Sequence, residues 1–289
     1  MNFASYFRPA SLAELYRLLE RENGVPLFLA GGTDILVQAR TQGKYSGRAA
    51  YDLTALPELK NIRQAENLLV IGSCVTHGAA AASPLVQQFA GPLAAACGSV
   101  GAVQLRNRAT LGGNIANASP AGDSLGPLAA LEASVCLDFL GTLRLVPITA
   151  LIQRPGQLCL REKEFIREIR IPQLTSDTRW RFRKIGRREA LAISRLTITL
   201  LLRLREDGII TEYRAAIGAV FPRPMRFPNM EHEFVGKPLT RERCCEMADV
   251  LAEKIPEIAG VRESTKYKYP VTKLIAQRLL VEMGEGFVE

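Results

Sequence analysis

Apolar residues follow a helical rhythm at the start of the chain and a β rhythm later. Ser11 with Glu14 three residues on forms a capping box, Leu12, Leu15, Leu18 and Leu19 share one buried side, and Asn23-Gly24 ends the run. "PLFLA" reads as a short buried strand, "DILVQAR" as the first turns of a second helix, and "AAYDLT" as another short strand. "NIRQAENLLVIGS" has the pattern of two strands joined at Glu66-Asn67. Residues 76 to about 103 are rich in alanine, with Ser83-Pro84 opening a helix. "SLGPLAALEA" predicts a further helix, "SVCLDFLGTLRLVPI" a hairpin turning at Gly141-Thr142, and 147–156 a loop.

The rhythm changes after "FIREIRIPQLTSDT". "AISRLTITLLLRLRED" and "IITEYRAAIGAV" are long β-rich runs turning near Asp207-Gly208, which predicts an antiparallel pair. "RWRFRKIGRREALAISR" alternates basic and apolar residues, as a strand with one solvated face does. "FPRPMRFP" is a proline-punctuated connection, and helices over roughly 240–254 and 270–283 close the chain. A chain of 289 residues accommodates two domains, and the change of pattern puts their boundary near residue 175.

Composition narrows the class. With 47% hydrophobic residues the chain can build a sizeable core, which argues against disorder. Its most apolar stretch, "ISRLTITLLLRLRE", is broken by Arg195, Arg203 and Arg205, so no membrane span is expected. The N-terminus lacks the charged-then-apolar layout of a signal peptide, and a cytoplasmic protein is the expectation. The six cysteines, at 74, 97, 136, 159, 244 and 245, form no C-x-x-C pair, and His77 and His232 stand apart from them. That spacing supports neither a zinc site nor an iron–sulfur cluster, and reduced, mostly buried thiols are expected. The formal charge of +8 suits a polyanion, an anionic cofactor or an acidic partner. Because the basic residues form no single long run, the cofactor or partner is the better reading, and no nucleic-acid partner is expected.

Two glycine pairs carry the candidate chemistry. "LFLAGGTDILVQAR" and "ATLGGNIANASPAGD" each set Gly-Gly among Thr, Asp or Asn and beside a possible helix start. One such pair marks a tight turn needing positive φ. A second points further, because side-chain-free residues let backbone amides approach phosphate oxygens at a helix start and form an anion-binding nest. Neither G-x-G-x-x-G nor Walker A occurs. The residues by themselves predict a binder of a phosphorylated ligand, a dinucleotide among the options. Valine at Gly32 and Gly112 together is expected to abolish its retention and leave much of the fold intact.

"AGGTD" and "TLGGNIANASPAGD", with "YFRPASLAEL", "QLRNRATLGG", "EFIREIRIP", "FRKIGRREALAIS" and "GAVFPRPMR", resemble the FAD subunits of molybdenum hydroxylases. That family includes the medium subunits of bacterial xanthine dehydrogenase and carbon monoxide dehydrogenase; the last fifty residues carry no such signature. The resemblance implies an α+β fold: an FAD-binding domain of two α+β subdomains over 1–175, then a C-terminal domain with a three-stranded antiparallel sheet and helices over 176–289. It implies pyrophosphate loops at Leu27, Phe28, Leu29, Ala30, Gly31, Gly32, Thr33 and Asp34, and at Ala109, Thr110, Leu111, Gly112 and Gly113. Thr33 and Thr110 add hydroxyl donors, and Asn114 braces the second loop. Asp123 falls where the family contacts FAD hydroxyls, Ile166 where a strand backbone touches the cofactor, and Lys184 where a cation stands near the flavin.

In the family scheme electrons pass from a molybdenum cofactor on a large subunit, through [2Fe–2S] clusters on a small subunit, to FAD and then to NAD+ or another acceptor. The implied partners are therefore a large molybdopterin-binding subunit and a small [2Fe–2S] subunit, with no catalytic acid or base on this chain. Individual residues keep second readings: Asp123 as a cap on the following helix, Lys184 as a solvated strand lysine, Arg106 as a phosphate ligand or a local ion pair. His77 is read as a helix-start hydrogen bonder, Arg187 and Arg188 as structural or partner-facing, and residues 179–188 as the partner patch. Two alternative functions stay open. A stand-alone flavoprotein reductase predicts turnover without partners, and an anion- or nucleic-acid-binding module predicts no flavin and salt-dependent polyanion affinity.

Overall fold

The computed structural model describes residues 3–188 and 191–288. The N-terminal unit is a three-stranded parallel sheet, in the order Ser5–Phe7, Ala49–Asp52, Leu27–Leu29, connected through the helices Leu12–Arg21 and Ile35–Gln42. Parallel neighbours require such crossovers. Ser11 Oγ accepts from the Glu14 N–H (3.2 Å) and the Glu14 carboxylate accepts from the Ala10 N–H (2.8 Å), so the expected cap forms. Leu15 and Leu19 are buried with Tyr51, Leu53, Leu56 and Leu59. The strand Ser5–Phe7 is too short to show a period in the sequence.

The middle unit is a five-stranded antiparallel sheet, in the order Ile62–Ala65, Leu68–Gly72, Phe165–Pro172, Ser134–Phe139, Thr142–Pro147. One face, carrying Leu69, Ile71, Val135, Leu137, Ile166, Ile169 and Ile171, packs with apolar residues of the short helices between 77 and 130. The hairpin turns at Leu140-Gly141, one residue earlier than expected, with φ of 49° and 89° as a type I′ turn requires. Residues 147–156 are not a plain loop. They hold the helix Ile148–Leu151 and the strand Ile152–Arg154, and Ile148, Leu151 and Ile152 fill core space.

The C-terminal unit is a three-stranded antiparallel sheet, Arg179–Ile185, Leu196–Leu204 and Ile210–Gly218, with the second turn at Gly208 (φ 79°). Leu196, Ile198, Leu200 and Leu202 share a core with the helices Arg241–Ala259 and Glu263–Met283. Leu201, Ala216 and Trp180 join the core of the middle unit instead. Burial on both faces explains why "LTITLLLRL" is apolar with so little alternation. The chain is thus the α+β fold expected, with the three-stranded sheet in its C-terminal part.

Two further expectations fail. The strand Arg179–Ile185 has no simple solvated face: Trp180 lies against Gly91, and Arg179 donates to the Met283 and Glu285 carbonyls (2.6 and 3.0 Å). The last helix starts at Glu263 and not at 270, because Thr265 accepts from the Arg262 N–H (2.8 Å) at its start and the helix runs on through Pro270. A proline suited to a first turn marked the wrong boundary. Among the described residues, no helix is long and apolar enough to cross a membrane.

Candidate functional site

The strand Leu27–Leu29 runs out into the glycine turn and then into the helix Ile35–Gln42. Gly32 has φ 73°, a conformation that favours glycine. Gly31 lacks a side chain for a different reason. A Cβ there would lie 2.1 Å from the Arg108 carbonyl oxygen and 3.0 Å from the Ala109 Cα. The two glycine motifs, distant in sequence, are therefore in backbone contact. Asn117 Nδ2 donates to Asp34 Oδ1 (3.1 Å) and ties them again. Leu27 and Leu29 are buried, while Phe28 packs near Phe165 with ring centroids 5.5 Å apart. Desolvation raises the Asp34 carboxyl, and the Thr33 hydroxyl partly opposes it.

Thr110 caps the helix Leu111–Asn117, its Oγ1 accepting from the Gly113 N–H (3.1 Å). The Leu111 N–H donates to the Val75 carbonyl, the Gly112 N–H to the Ser73 carbonyl and the Asn114 N–H to the Thr110 carbonyl, each at 2.9 Å. The second loop's amides are thus largely engaged inside the protein. By contrast, among the described residues the N–H groups of Gly32, Thr33 and Asp34 meet no protein acceptor. A Cβ on Gly112 would fall 2.6 Å from the Ser73 carbonyl oxygen. Valine there would have to displace the Ser73 backbone, so a substitution at Gly112 disturbs local packing as well as any ligand.

Asp123 is not a helix cap and Lys184 is not solvated. Lys184 Nζ donates to Asp123 Oδ2 (2.5 Å) and to the Ser99 carbonyl (2.9 Å). Ser194 Oγ donates to Asp123 Oδ1 (2.5 Å). The two side chains of the ion pair are only 14% and 7% exposed, so the pair is shielded from water. Ser194 carries no signal in "ALAIS"; only the course of the segment before the strand Leu196–Leu204 brings it to Asp123. Asn114 Oδ1 accepts from Ser124 Oγ (2.7 Å), bracing the segment that leads to Asp123. The Ile166 side chain is buried in the middle core, and its strand is irregular between Ile166 and Glu168. The next carbonyl, on Arg167, accepts from the Ser73 N–H (3.0 Å), so this strand and the Gly112 loop meet at Ser73.

Other candidates stay outside. Arg106 donates to the Val100 and Gly101 carbonyls (3.0 and 2.9 Å), and among the described residues it makes no ion pair. Arg188 donates to the Leu191 carbonyl (2.8 Å). Thr76, not His77, supplies the side-chain cap on the helix His77–Ala82. Burial pushes the His77 imidazole down to about 4, so it is neutral at pH 7, with Nδ1 3.4 Å from Cys97 Sγ. Cys74, Cys97, Cys136 and Cys244 are buried free thiols. Among the described residues, no group of three or more His, Cys, Asp or Glu side chains could hold a metal ion.

The donor set fits a dinucleotide. Amides without protein acceptors at a glycine turn suit phosphate oxygens, a shielded carboxylate suits a diol, and a held ammonium suits an electron-rich ring. Comparison with known proteins agrees. Residues 1–174 match the model of the FAD binding domain in molybdopterin dehydrogenase, and 180–283 that of the CO dehydrogenase flavoprotein C-terminal domain. The nicotinate dehydrogenase FAD-subunit of Eubacterium barkeri is 28% identical over 98% of this chain and 97% of that protein. The carbon monoxide dehydrogenase medium chain of Hydrogenophaga pseudoflava is 27% identical over 95% of each. A carbon monoxide dehydrogenase structure from Hydrogenophaga pseudoflava, lacking the Mo-pyranopterin moiety, superimposes with TM-score 0.86 at 26% identity over 96% of both chains.

Proposed function

The chain belongs to the FAD-binding subunits of the molybdopterin dehydrogenases, and on that premise we propose that it is the electron-output subunit of a molybdenum hydroxylase complex. FAD, when held here, would supply the redox chemistry between partner [2Fe–2S] clusters and NAD+ or another acceptor. This chain's residues grip and orient it. The N–H groups of Gly32, Thr33 and Asp34 take the diphosphate, at the end of the run through Leu27, Phe28, Leu29, Ala30 and Gly31. Ala109, Thr110, Leu111, Gly112, Gly113 and Asn114 wall the other side. Asp123 accepts from a hydroxyl of the cofactor, the backbone at Ile166 lines its path, and Lys184 sets a positive charge beside the ring.

The observation that carries this reading is the contact of the two glycine segments at Gly31 and Arg108, beside amides without protein acceptors. The scattered cysteines and the medium-chain name of a relative support placing molybdopterin on a large partner subunit and [2Fe–2S] clusters on a small one. A cytoplasmic location and a division near residue 175 go with the same reading. The composition change there, and the paired strands that begin at Arg179, support the division.

An absorption spectrum of the purified chain, with the cofactor identified after heat release and then NADH added, tests the proposal. Bound FAD that NADH bleaches is the expected result. Bound FAD that ignores NADH keeps the subunit and moves the acceptor elsewhere. A colourless chain that also refuses added FAD overturns the reading.

A further inference from the structure

Among the described residues, three cations without an ion-pair partner stand around the start of the last helix. Arg195 directly follows Ser194, Arg262 directly precedes the helix Glu263–Met283, and Lys268 lies in the early turns of that helix. The Arg195 guanidinium sits over the Tyr267 ring, 4.5 Å from its centroid, which docks Arg195 on the same helix. Lys268 is partly buried, and its Nζ donates to the Ala219 carbonyl (2.5 Å). Burial lowers the Lys268 ammonium, and Arg262 and Arg195 lower it further. Among the described residues none of the three makes an ion pair, although neighbouring Lys266 is paired with Glu263 (2.6 Å). Arg195 and Lys268 are half-buried and Arg262 is exposed, and like charges held together oppose one another until an anion joins them.

Two connections lead from this cluster to the candidate cofactor site. Ser194, beside Arg195, holds Asp123. Ala219 gives its carbonyl to Lys268 and its N–H to the Pro120 carbonyl (2.9 Å), in the segment that leads to Asp123. Ala219 keeps a left-handed backbone (φ 61°) in doing so, which is unfavourable for a residue with a side chain. Stacking on Tyr267 covers a face of the Arg195 guanidinium and leaves its N–H edge, the part that chelates phosphate oxygens. The FAD diphosphate is already accounted for by the amides of Gly32, Thr33 and Asp34, so these cations are surplus to that role.

We propose that Arg195, Arg262 and Lys268 form a second diphosphate site, which holds the diphosphate of a nicotinamide dinucleotide acceptor. This rests on the FAD reading above. The test uses the full FAD-bearing chain, with Arg195→Gln and Arg262→Gln beside the parent and far-UV circular dichroism as the check on folding. Anaerobic flavin reduction gives the NADH dissociation constant at several salt concentrations, and calorimetry gives that of inorganic diphosphate. Each substitution is expected to weaken both ligands about tenfold and to flatten the salt dependence, with FAD content unchanged. Arg195→Lys, which keeps the charge, is expected to recover part of the loss. Unchanged NADH and diphosphate binding overturns the site. Loss of FAD with NADH binding intact also overturns it, because the cations would then serve FAD itself. A chain that takes no FAD sinks the functional reading alone: diphosphate binding to that chain, present in the parent and lost in Arg195→Gln, still supports the anion site, and its absence removes it.

Discussion

Gly31, Gly32 and Gly112 lack side chains for two kinds of reason. Gly31 meets the Arg108 backbone, Gly32 holds positive φ, and Gly112 meets the Ser73 backbone. Gly32→Ala is therefore the better probe of the cofactor: it is expected to cost about 1 kcal/mol of stability and most of the FAD retention, read from the flavin content of the purified protein. Gly112→Ala is expected to cost about 1–3 kcal/mol by overpacking, read as a lower urea midpoint. The Asp123–Lys184 pair behaves as one unit, since removing the carboxylate leaves an ammonium shielded from water. Asp123→Ala should lose about 3–5 kcal/mol in equilibrium urea unfolding, and adding Lys184→Met should return a large part of it. No recovery in the double variant would mean that Asp123 acts chiefly through Ser194.

Among the elements, the hairpin of Ser134–Phe139 and Thr142–Pro147 is clamped by one carboxylate. Arg144 donates to both Glu164 oxygens (2.6 Å each), and the Arg161 N–H donates to the same group (2.7 Å). Burial alone raises the Glu164 carboxyl, but the Arg144 bonds and the Arg161 N–H outweigh it and hold it below its usual 4.5. The unfolded chain therefore binds this proton more readily than the folded one. The clamp's contribution is complete above pH 4.5 and is lost as pH falls through the lower folded value. Urea midpoints measured down the acid range should fall in that window, and Glu164→Gln should remove part of the fall. Element boundaries were legible where the cap is local and was read as such, as at Ser11. They were not at Pro270, where tertiary packing carries a helix through a residue that normally starts one.

Across the whole molecule, the C-terminal sheet is shared. One face belongs to the C-terminal helices, while Trp180, Leu201 and Ala216 from the sheet sit in the middle core. Trp180 is the single tryptophan, packed on Gly91, so its fluorescence reports docking of the sheet on the middle unit. Urea unfolding followed by that fluorescence should coincide with far-UV circular dichroism in one transition. A fluorescence change that precedes the loss of helix would show that the sheet undocks first.

The sequence by itself determined the α+β class, the order of most elements and the two glycine segments, because periodicity, caps and turns are local properties read over a few residues. It also carried the family, through motifs spread along most of the chain. Only the tertiary structure decided that Gly31 is fitted to Arg108, that the second loop spends its amides on Ser73 and Val75, and that Asp123, Lys184 and Ser194 form one cluster. Those contacts join residues far apart in the chain, and their partners are chosen by sheet register and packing, which no local spacing encodes.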